Sequence, residues 1–107
     1  MTIALHSEDI IRVKKEGKFA IVLAFQSGAA LDRNIDMIAI YYKLGVRSMN
    51  LAYNQAEAAA DGCSEPRNGG LTLFGRKVIP EMNRVGMLLD LSHTGHQATM
   101  AAMDLSD

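Results

Sequence analysis

Residues 69–95, which read GGLTLFGRKVIPEMNRVGMLLDLSHTG, carry the pattern that decides the fold. Apolar residues recur at every third or fourth position and predict an amphipathic helix that Gly86 ends: Leu71, Phe74, Val78, Met82 and Val85. Residues 87–91 are mostly apolar and predict a buried strand directly after that glycine. The stretch therefore reads as one helix-to-strand unit with a histidine, His93, just beyond the strand.

The same unit occurs twice upstream. The predicted elements are a helix at 7–17, a strand at 19–25, a helix at 32–45, a strand at 46–52, the helix and strand just described, and a last helix at 97–105. Ser7 and Asp32 are suitable N-caps for the first two helices, and Gly17 and Gly45 are suitable stops. Helices that alternate with strands predict parallel strands joined by crossover helices.

Pro80 conflicts with a regular third helix, because an interior proline removes a backbone hydrogen bond at a cost of about 3 kcal/mol. We expect a kink there. Alternatively, the helix starts late, near Val78 or Ile79, which would put Pro80 in the first turn.

Composition excludes several classes of protein. Hydrophobic residues make up 49% of the chain and charged residues 21%, which favours a globular core over a disordered segment. The net charge of -1 comes from interspersed charges, so we expect neither nucleic acid nor anionic lipid as a partner. The longest apolar run, 19–25, is far short of the roughly 20 residues that span a bilayer, so no membrane segment is expected. No charged leader with an apolar core begins the chain, which favours a cytoplasmic location over export.

Three stretches resemble the membrane (renal-type) dipeptidase family of zinc metallopeptidases, in particular its bacterial members. They are YKLGVRSMNLAYN at 42–54, DGCSEPRNGGLTLFGRKV at 61–78 and EMNRVGMLLDLSHTG at 81–95. The resemblance runs from about Ser7 to Met103, and Asp90 to His93 are its most specific part. It implies a (β/α)8 barrel that hydrolyses the amide bond of a dipeptide with zinc as its cofactor.

The length of the chain limits how much of such a barrel it can form. A complete barrel needs roughly 250 residues, and 107 supply only about three or four strand-helix units. We therefore expect an α/β chain that forms part of a TIM-type (β/α)8 barrel, with about three consecutive parallel strand-helix units preceded by a helix. Residues 1–107 would be a single partial domain, an internal fragment of a longer metal-dependent hydrolase. The family's His-x-Asp pair would precede the chain, and a further histidine ligand would follow it.

Three polar or aromatic residues follow the predicted strands: Gln26, Tyr53 and His93. Since the carboxyl ends of parallel strands meet at one mouth, we expect these side chains to lie together. Alternation along the last strand puts four side chains on one face: Met87, Leu89, Leu91 and His93. If that face points into the barrel, His93 lies above a stack of apolar layers.

His93 is the predicted metal ligand. By spacing alone, a core histidine satisfied by the backbone is the more frequent situation, but the resemblance matches His93 to a ligand of a two-zinc site. His6 and His96 have no partner at ligand spacing and read as surface residues. Cys63, the single cysteine, suits a surface or half-buried thiol better than a nucleophile.

Two positions depart from the family's better-known pattern. Where the family commonly has a glutamate that bridges two zinc ions, this chain has Gln26, whose amide oxygen can coordinate but brings no negative charge. One zinc, with a weakened second site, is therefore expected. Where the family often has a histidine that steadies the substrate's oxyanion, this chain has Tyr53. The phenol can donate the same hydrogen bond, or the ring can simply line the mouth.

The other polar residues near the strand ends and in the long loop are interpreted as structural and not as catalytic. Asp90 and Ser92 orient the ligand strand or cap the next helix. Asp61, Glu65 and Arg67 lie in a long polar loop, residues 55–70, and are most simply solvated charges that could overhang the mouth.

Two alternatives to a dipeptidase stay open. The first is a fragment or assembly piece without catalysis, whose open sheet edges would favour association into a homo-oligomer. The second is another metal-dependent hydrolase on the same barrel, such as a lactam or phosphoester hydrolase, which would keep His93 and change the substrate.

Overall fold

The computed structural model describes residues 1–107. The helices are α1 (Ser7–Lys15), α2 (Met37–Lys43), α3 (Gly75–Val85) and α4 (His96–Met103), with a short 3-10 helix at Gly28–Leu31. The strands are β1 (Thr2–Ile3), β2 (Ala20–Ile21), β3 (Leu23–Phe25), β4 (Val46–Asn50) and β5 (Leu88–Asp90). None of the helices has the length and apolar character needed to cross a membrane.

Every strand pair is parallel, as the alternation of helices and strands predicts. Strands β3, β4 and β5 form one three-stranded sheet in that order, and β1 pairs with β2 separately. Within each sheet, consecutive strands therefore lie side by side and are joined through a crossover helix. This topology confirms an α/β chain with parallel strands.

The predicted strand at 19–25 is wrong as a single element. It divides at Val22 into β2, which pairs with β1, and β3, which pairs with β4. The register of β3 on β4 also shifts between Leu23 and Ala24. Two different pairing partners account for the division, and the apolar pattern of the run contains no sign of either.

The helices cover one face of the three-stranded sheet. Phe25, Met49 and Leu89 lie side by side across it and pack into the main hydrophobic core. That core also receives fully buried side chains from the helices: Ile38 from α2, Val78, Ile79 and Met82 from α3, and Ala98 and Ala102 from α4. Burying a side chain such as Ile38 contributes about 1.5–3 kcal/mol.

The opposite face of the sheet, which we call the free face, lies outside the main hydrophobic core. Ala24, Ser48 and Leu88 form its neighbouring row, and Leu88 is 68% exposed. The side chains of Met87 and Leu89 thus point toward the helices and not toward the free face. We expected His93 to lie above a stack of apolar layers if the face with Met87 and Leu89 pointed into the barrel. The structure does not meet that condition.

The end of α3 confirms the prediction for Gly86, which adopts a left-handed backbone (φ 84°) and donates its N–H to Met82 and Asn83 carbonyl oxygens. The late start proposed for this helix is wrong, because α3 begins at Gly75 and contains Pro80 in its interior. Pro80 is exposed, so its ring faces solvent on the side away from the core.

The beginning of α2 also differs from the prediction. Asp32 does not cap it, since Asp32 and Arg33 both have left-handed backbones (φ 47° and 59°) that follow the 3-10 helix. The cap position of α2 is Asp36. In α1 the cap position is His6, one residue before the predicted Ser7, and the Asp9 carboxylate accepts a hydrogen bond from the His6 N–H at 3.1 Å.

Candidate active site at the carboxyl ends of the strands

The rings of Tyr53 and His93 are in contact. Tyr53 lies just beyond β4 and His93 just beyond β5, at the carboxyl ends of two adjacent parallel strands. Their ring centroids are 4.1 Å apart and the ring planes are inclined by 31°. The structure therefore brings together two of the three predicted site residues.

The imidazole of His93 is also held at its edge. Its Nδ1 lies 3.0 Å from Oδ1 of Asn54. An amide oxygen can only accept a hydrogen bond, so this contact is a hydrogen bond only in the tautomer of His93 with its proton on Nδ1. The ring's other nitrogen, Nε2, then carries a lone pair, as a metal ligand or a proton acceptor requires.

The backbone at His93 is strained. Its φ is 60°, in the left-handed region that residues other than glycine rarely adopt. The surrounding chain holds this conformation, since the His93 carbonyl oxygen accepts a hydrogen bond from the Cys63 N–H at 2.6 Å. Strain of this kind often accompanies functional positions. The prediction that His93 continues the alternation of the strand is wrong, because β5 ends at Asp90 and a turn separates it from the histidine.

Asp90 and Ser92 form that turn. The Asp90 carboxylate accepts hydrogen bonds from the Ser92 N–H at 2.8 Å and the Ser92 hydroxyl at 2.6 Å. These bonds lower the pKa of Asp90. Asn50, buried at the end of β4, donates from Nδ2 to the Ser92 carbonyl oxygen at 2.6 Å. Asp90 and Ser92 thus orient the segment that carries His93, and the cap position of α4 is Gly95.

Gln26, the third predicted site residue, directly follows β3 and is exposed. Its neighbour Ser27 is linked to Tyr53 through Glu57. The Glu57 carboxylate accepts a hydrogen bond from the Ser27 hydroxyl and, at 3.0 Å, another from the Tyr53 N–H. Glu57 therefore connects the ends of β3 and β4, and Gln26 itself makes no contact with Tyr53 or His93 through this link.

The long loop, residues 55–70, packs onto the segment after β5. Gly62 forms an isolated antiparallel bridge with Thr94, and the Gly95 N–H donates to the Asp61 carbonyl oxygen at 2.9 Å. The loop and the His93 segment therefore hold each other in place through backbone contacts.

The prediction that Asp61 is a solvated charge is wrong. Its side chain is only 3% exposed and receives two hydrogen bonds from the Arg67 guanidinium, at 2.6 and 2.7 Å. The Gly69 N–H donates a third at 2.8 Å. The contact with Arg67, aided by Gly69, lowers the pKa of Asp61 to about 2. Arg67 itself stays largely exposed, so the ion pair lies between the buried Asp61 and the outer surface of the loop.

Cys63 is exposed and free, in accord with the sequence. Its Sγ lies 3.6 Å from Asn54 Oδ1 and 4.0 Å from His93 Nδ1. His6 and His96 are exposed, as expected of surface histidines.

His93 can offer one metal-ligating nitrogen, Nε2, because Nδ1 lies against Asn54. No group of three or more His, Cys, Asp or Glu side chains in the chain converges in a way that could hold a metal ion. Within residues 1–107, His93 therefore fits a single position of a metal site.

Sequence reasoning missed Asn54 and Glu57 as members of this site. Asn54 was visible as the polar residue that follows Tyr53 at a strand end, but no local pattern shows which side chain it meets. Glu57 lies within a polar loop and reaches back to Ser27, thirty residues earlier.

Comparison with known proteins gives a family match over the entire chain. The family described as membrane dipeptidase (peptidase family M19) matches residues 1–107. Dipeptidase tcpJ of Claviceps purpurea is 32% identical, over 99% of this chain and 25% of its own length. Dipeptidase 3 of Rattus norvegicus is 33% identical, over 83% of this chain and 20% of its own length. The chain thus spans a quarter or less of these two relatives.

Solved structures share the fold. An amidohydrolase from Pseudomonas aeruginosa superposes with a TM-score of 0.95 and 34% identity, over 100% of this chain and 33% of that one. A metallo peptidase from Rhodobacter sphaeroides, liganded with a phosphinate mimic of the dipeptide L-Ala-D-Ala, superposes with a TM-score of 0.90. Its identity is 23%, over 98% of this chain and 32% of that one, so this likeness concerns the fold alone.

Proposed function

This chain belongs to the membrane dipeptidase family, peptidase family M19, and on that basis we propose that it forms part of a metal-dependent hydrolase that cleaves the amide bond of a dipeptide. Relatives that carry the name dipeptidase support this substrate class. Because the chain spans a third or less of the length of these relatives, the activity is a proposal for the full-length protein.

Residues 1–107 form a partial domain of a (β/α)8 barrel in this proposal. Strands β3, β4 and β5 would be three neighbouring strands of the barrel, with α2 and α3 on its outside. The free face supports this assignment, since Leu88 on that face is 68% exposed and would be covered by the side chains of the other strands. Barrel enzymes place their active sites at the carboxyl ends of the strands, where Tyr53 and His93 lie.

The observation that carries the proposal is the contact between Tyr53 and His93 at these strand ends, with His93 Nδ1 engaged by Asn54. In this arrangement His93 Nε2 is one zinc ligand. Zinc, when bound, supplies Lewis acidity that activates water for attack on an amide carbonyl near neutral pH.

Tyr53 and Gln26 complete the proposed roles. The Tyr53 hydroxyl donates a hydrogen bond to the substrate's carbonyl oxygen as negative charge develops on it. Gln26 occupies the position of a bridging ligand but is uncharged, so a second zinc binds weakly or not at all.

The second candidate is a chain without catalysis of its own, and one observation favours it. No group of three metal-ligating side chains converges within residues 1–107, and a catalytic zinc needs three protein ligands. In this case the chain is a fragment or a piece of an assembly and hydrolyses no substrate.

The two candidates are separated by the complete reading frame and an assay. The dipeptidase proposal predicts a His-x-Asp strand before these residues and a histidine-bearing strand after them, and the absence of both would refute it for this gene. The full-length protein should hydrolyse dipeptides faster than β-lactams and phosphoesters, and a chelator should abolish turnover until zinc is restored. Faster turnover of a lactam or phosphoester would assign a different metal-dependent hydrolase.

A further inference from the structure

We propose that Asn54 is the positioning residue that sets the tautomer of His93 and so presents the His93 Nε2 lone pair to the metal. The inference rests on the proposed function only in naming a metal as the group that Nε2 binds. The tautomer itself follows from the contact between Asn54 Oδ1 and His93 Nδ1, 3.0 Å apart.

A histidine that binds a metal through Nε2 needs a hydrogen-bond acceptor at Nδ1. A neutral imidazole has one N–H and one lone pair, and the hydrogen bond at one nitrogen decides which of them the other presents. In water, free histidine favours the form with the proton on Nε2, which cannot coordinate a metal through that atom. An acceptor at Nδ1 reverses the preference, and Asn54 Oδ1 is that acceptor.

Contacts around Asn54 hold the amide in this orientation. Its oxygen has two lone pairs, and the Cys63 thiol lies 3.6 Å from the same atom as a second donor. The Asn54 carbonyl oxygen also accepts a hydrogen bond from the Ser64 N–H at 2.9 Å, so the residue is fixed at its backbone. The thiol as a donor favours the oxygen, and not the NH₂ group, on the side of Asn54 that faces the imidazole.

Adjacent residues thus hold the ring from two sides. Tyr53 lies against its face and Asn54 bonds its edge, and both extend from the end of β4. The ring can rotate out of this position only by breaking both contacts. Since an amide is neutral, Asn54 orients the ring without adding negative charge beside the metal.

Nitrogen NMR of the side chain tests the proposal directly. In metal-free full-length protein labelled with ¹⁵N-histidine, at a pH where the ring is neutral, the shifts of His93 should show a protonated Nδ1 and an unprotonated Nε2. A spectrum of wild-type protein with the proton on Nε2 would overturn the proposal, and this measurement needs no variant to fold.

Two variants and a control test the role of Asn54. Asn54→Leu removes the acceptor at similar size and should move the proton to Nε2 and weaken zinc binding by about 10- to 100-fold. Asn54→Asp restores an acceptor and should restore the wild-type tautomer. Gln55→Leu, at an exposed neighbouring position, should change neither. An unchanged tautomer in a folded Asn54→Leu variant would contradict the positioning role, and so would an unchanged zinc affinity in that variant if His93→Ala weakens zinc binding.

These readouts separate the inference from the proposed function. If the Nδ1–H form is present and Asn54→Leu removes it, the tautomer assignment stands even when His93→Ala leaves zinc affinity unchanged. That second result would instead refute the role of His93 as a metal ligand.

Discussion

Tyr53 stacks on His93, with 4.1 Å between ring centroids, although forty residues of chain separate them. The contact exists because β4 and β5 are adjacent and parallel, so that their carboxyl ends lie at the same edge of the sheet. It defines the candidate site, and it allows the role of each ring to be tested by itself.

Tyr53→Phe keeps the stacked ring and removes only the hydroxyl. If that hydroxyl steadies the developing oxyanion, kcat/KM for a dipeptide should fall by about 100-fold or more while the protein stays folded, because loss of one such donor typically costs that much. Steady-state kinetics on the full-length protein measure the change, and circular dichroism monitors folding. Wild-type turnover by Tyr53→Phe would leave Tyr53 as a ring that merely lines the mouth.

Gln26→Glu should strengthen binding of a second zinc, because a carboxylate offsets the charge of the ions where an amide does not. Metal analysis after dialysis should show more zinc per protein than in the wild type. Gln55→Glu adds the same charge at an exposed loop position and serves as the control. Equal zinc content in both variants would argue that residue 26 does not contact the metal.

Asp61→Asn should destabilise the loop that holds the His93 segment. The buried carboxylate accepts two hydrogen bonds from Arg67 and one from Gly69, which an amide cannot reproduce, so a loss of about 1–3 kcal/mol in unfolding free energy is expected. Glu81→Gln breaks the more exposed pair with Arg84 and should cost less than about 1 kcal/mol. Chemical denaturation of both variants gives the comparison, and equal losses would deny Asp61 any special role.

Acid should remove the same stabilisation. The folded pKa of Asp61, about 2, lies below its ordinary value of 3.8, so its contribution is complete above about pH 4 and disappears as the pH falls toward 2. The difference in melting temperature between wild type and Asp61→Asn should therefore shrink across that range. A difference that stays constant from pH 5 to pH 2 would contradict the lowered pKa.

Local sequence features predicted those parts of the fold that depend on local chemistry. Gly86 ends α3 because a left-handed residue is needed there, and glycine adopts that backbone without strain. The apolar period of α3 likewise identified the core residues Val78 and Met82. Both features are properties of a few neighbouring residues.

The features that sequence could not predict depend on distant partners. The run at 19–25 divides because β2 and β3 pair with different strands, and the Asp61 carboxylate is buried against Arg67 and Gly69. In the site, the strand ends predicted where His93 and Tyr53 would meet, whereas the turn at Asp90 and the left-handed backbone of His93 arise from contacts with Ser92 and the loop.

The most direct test of the central claim is zinc titration of full-length wild-type protein, His93→Ala and His96→Ala. We expect His93→Ala to weaken zinc binding by at least about 100-fold, beyond what loss of an orienting partner costs, and His96→Ala, at an exposed position on α4, to leave it unchanged. Equal zinc affinity in wild type and His93→Ala would contradict the assignment of His93 as a metal ligand at the ends of these strands.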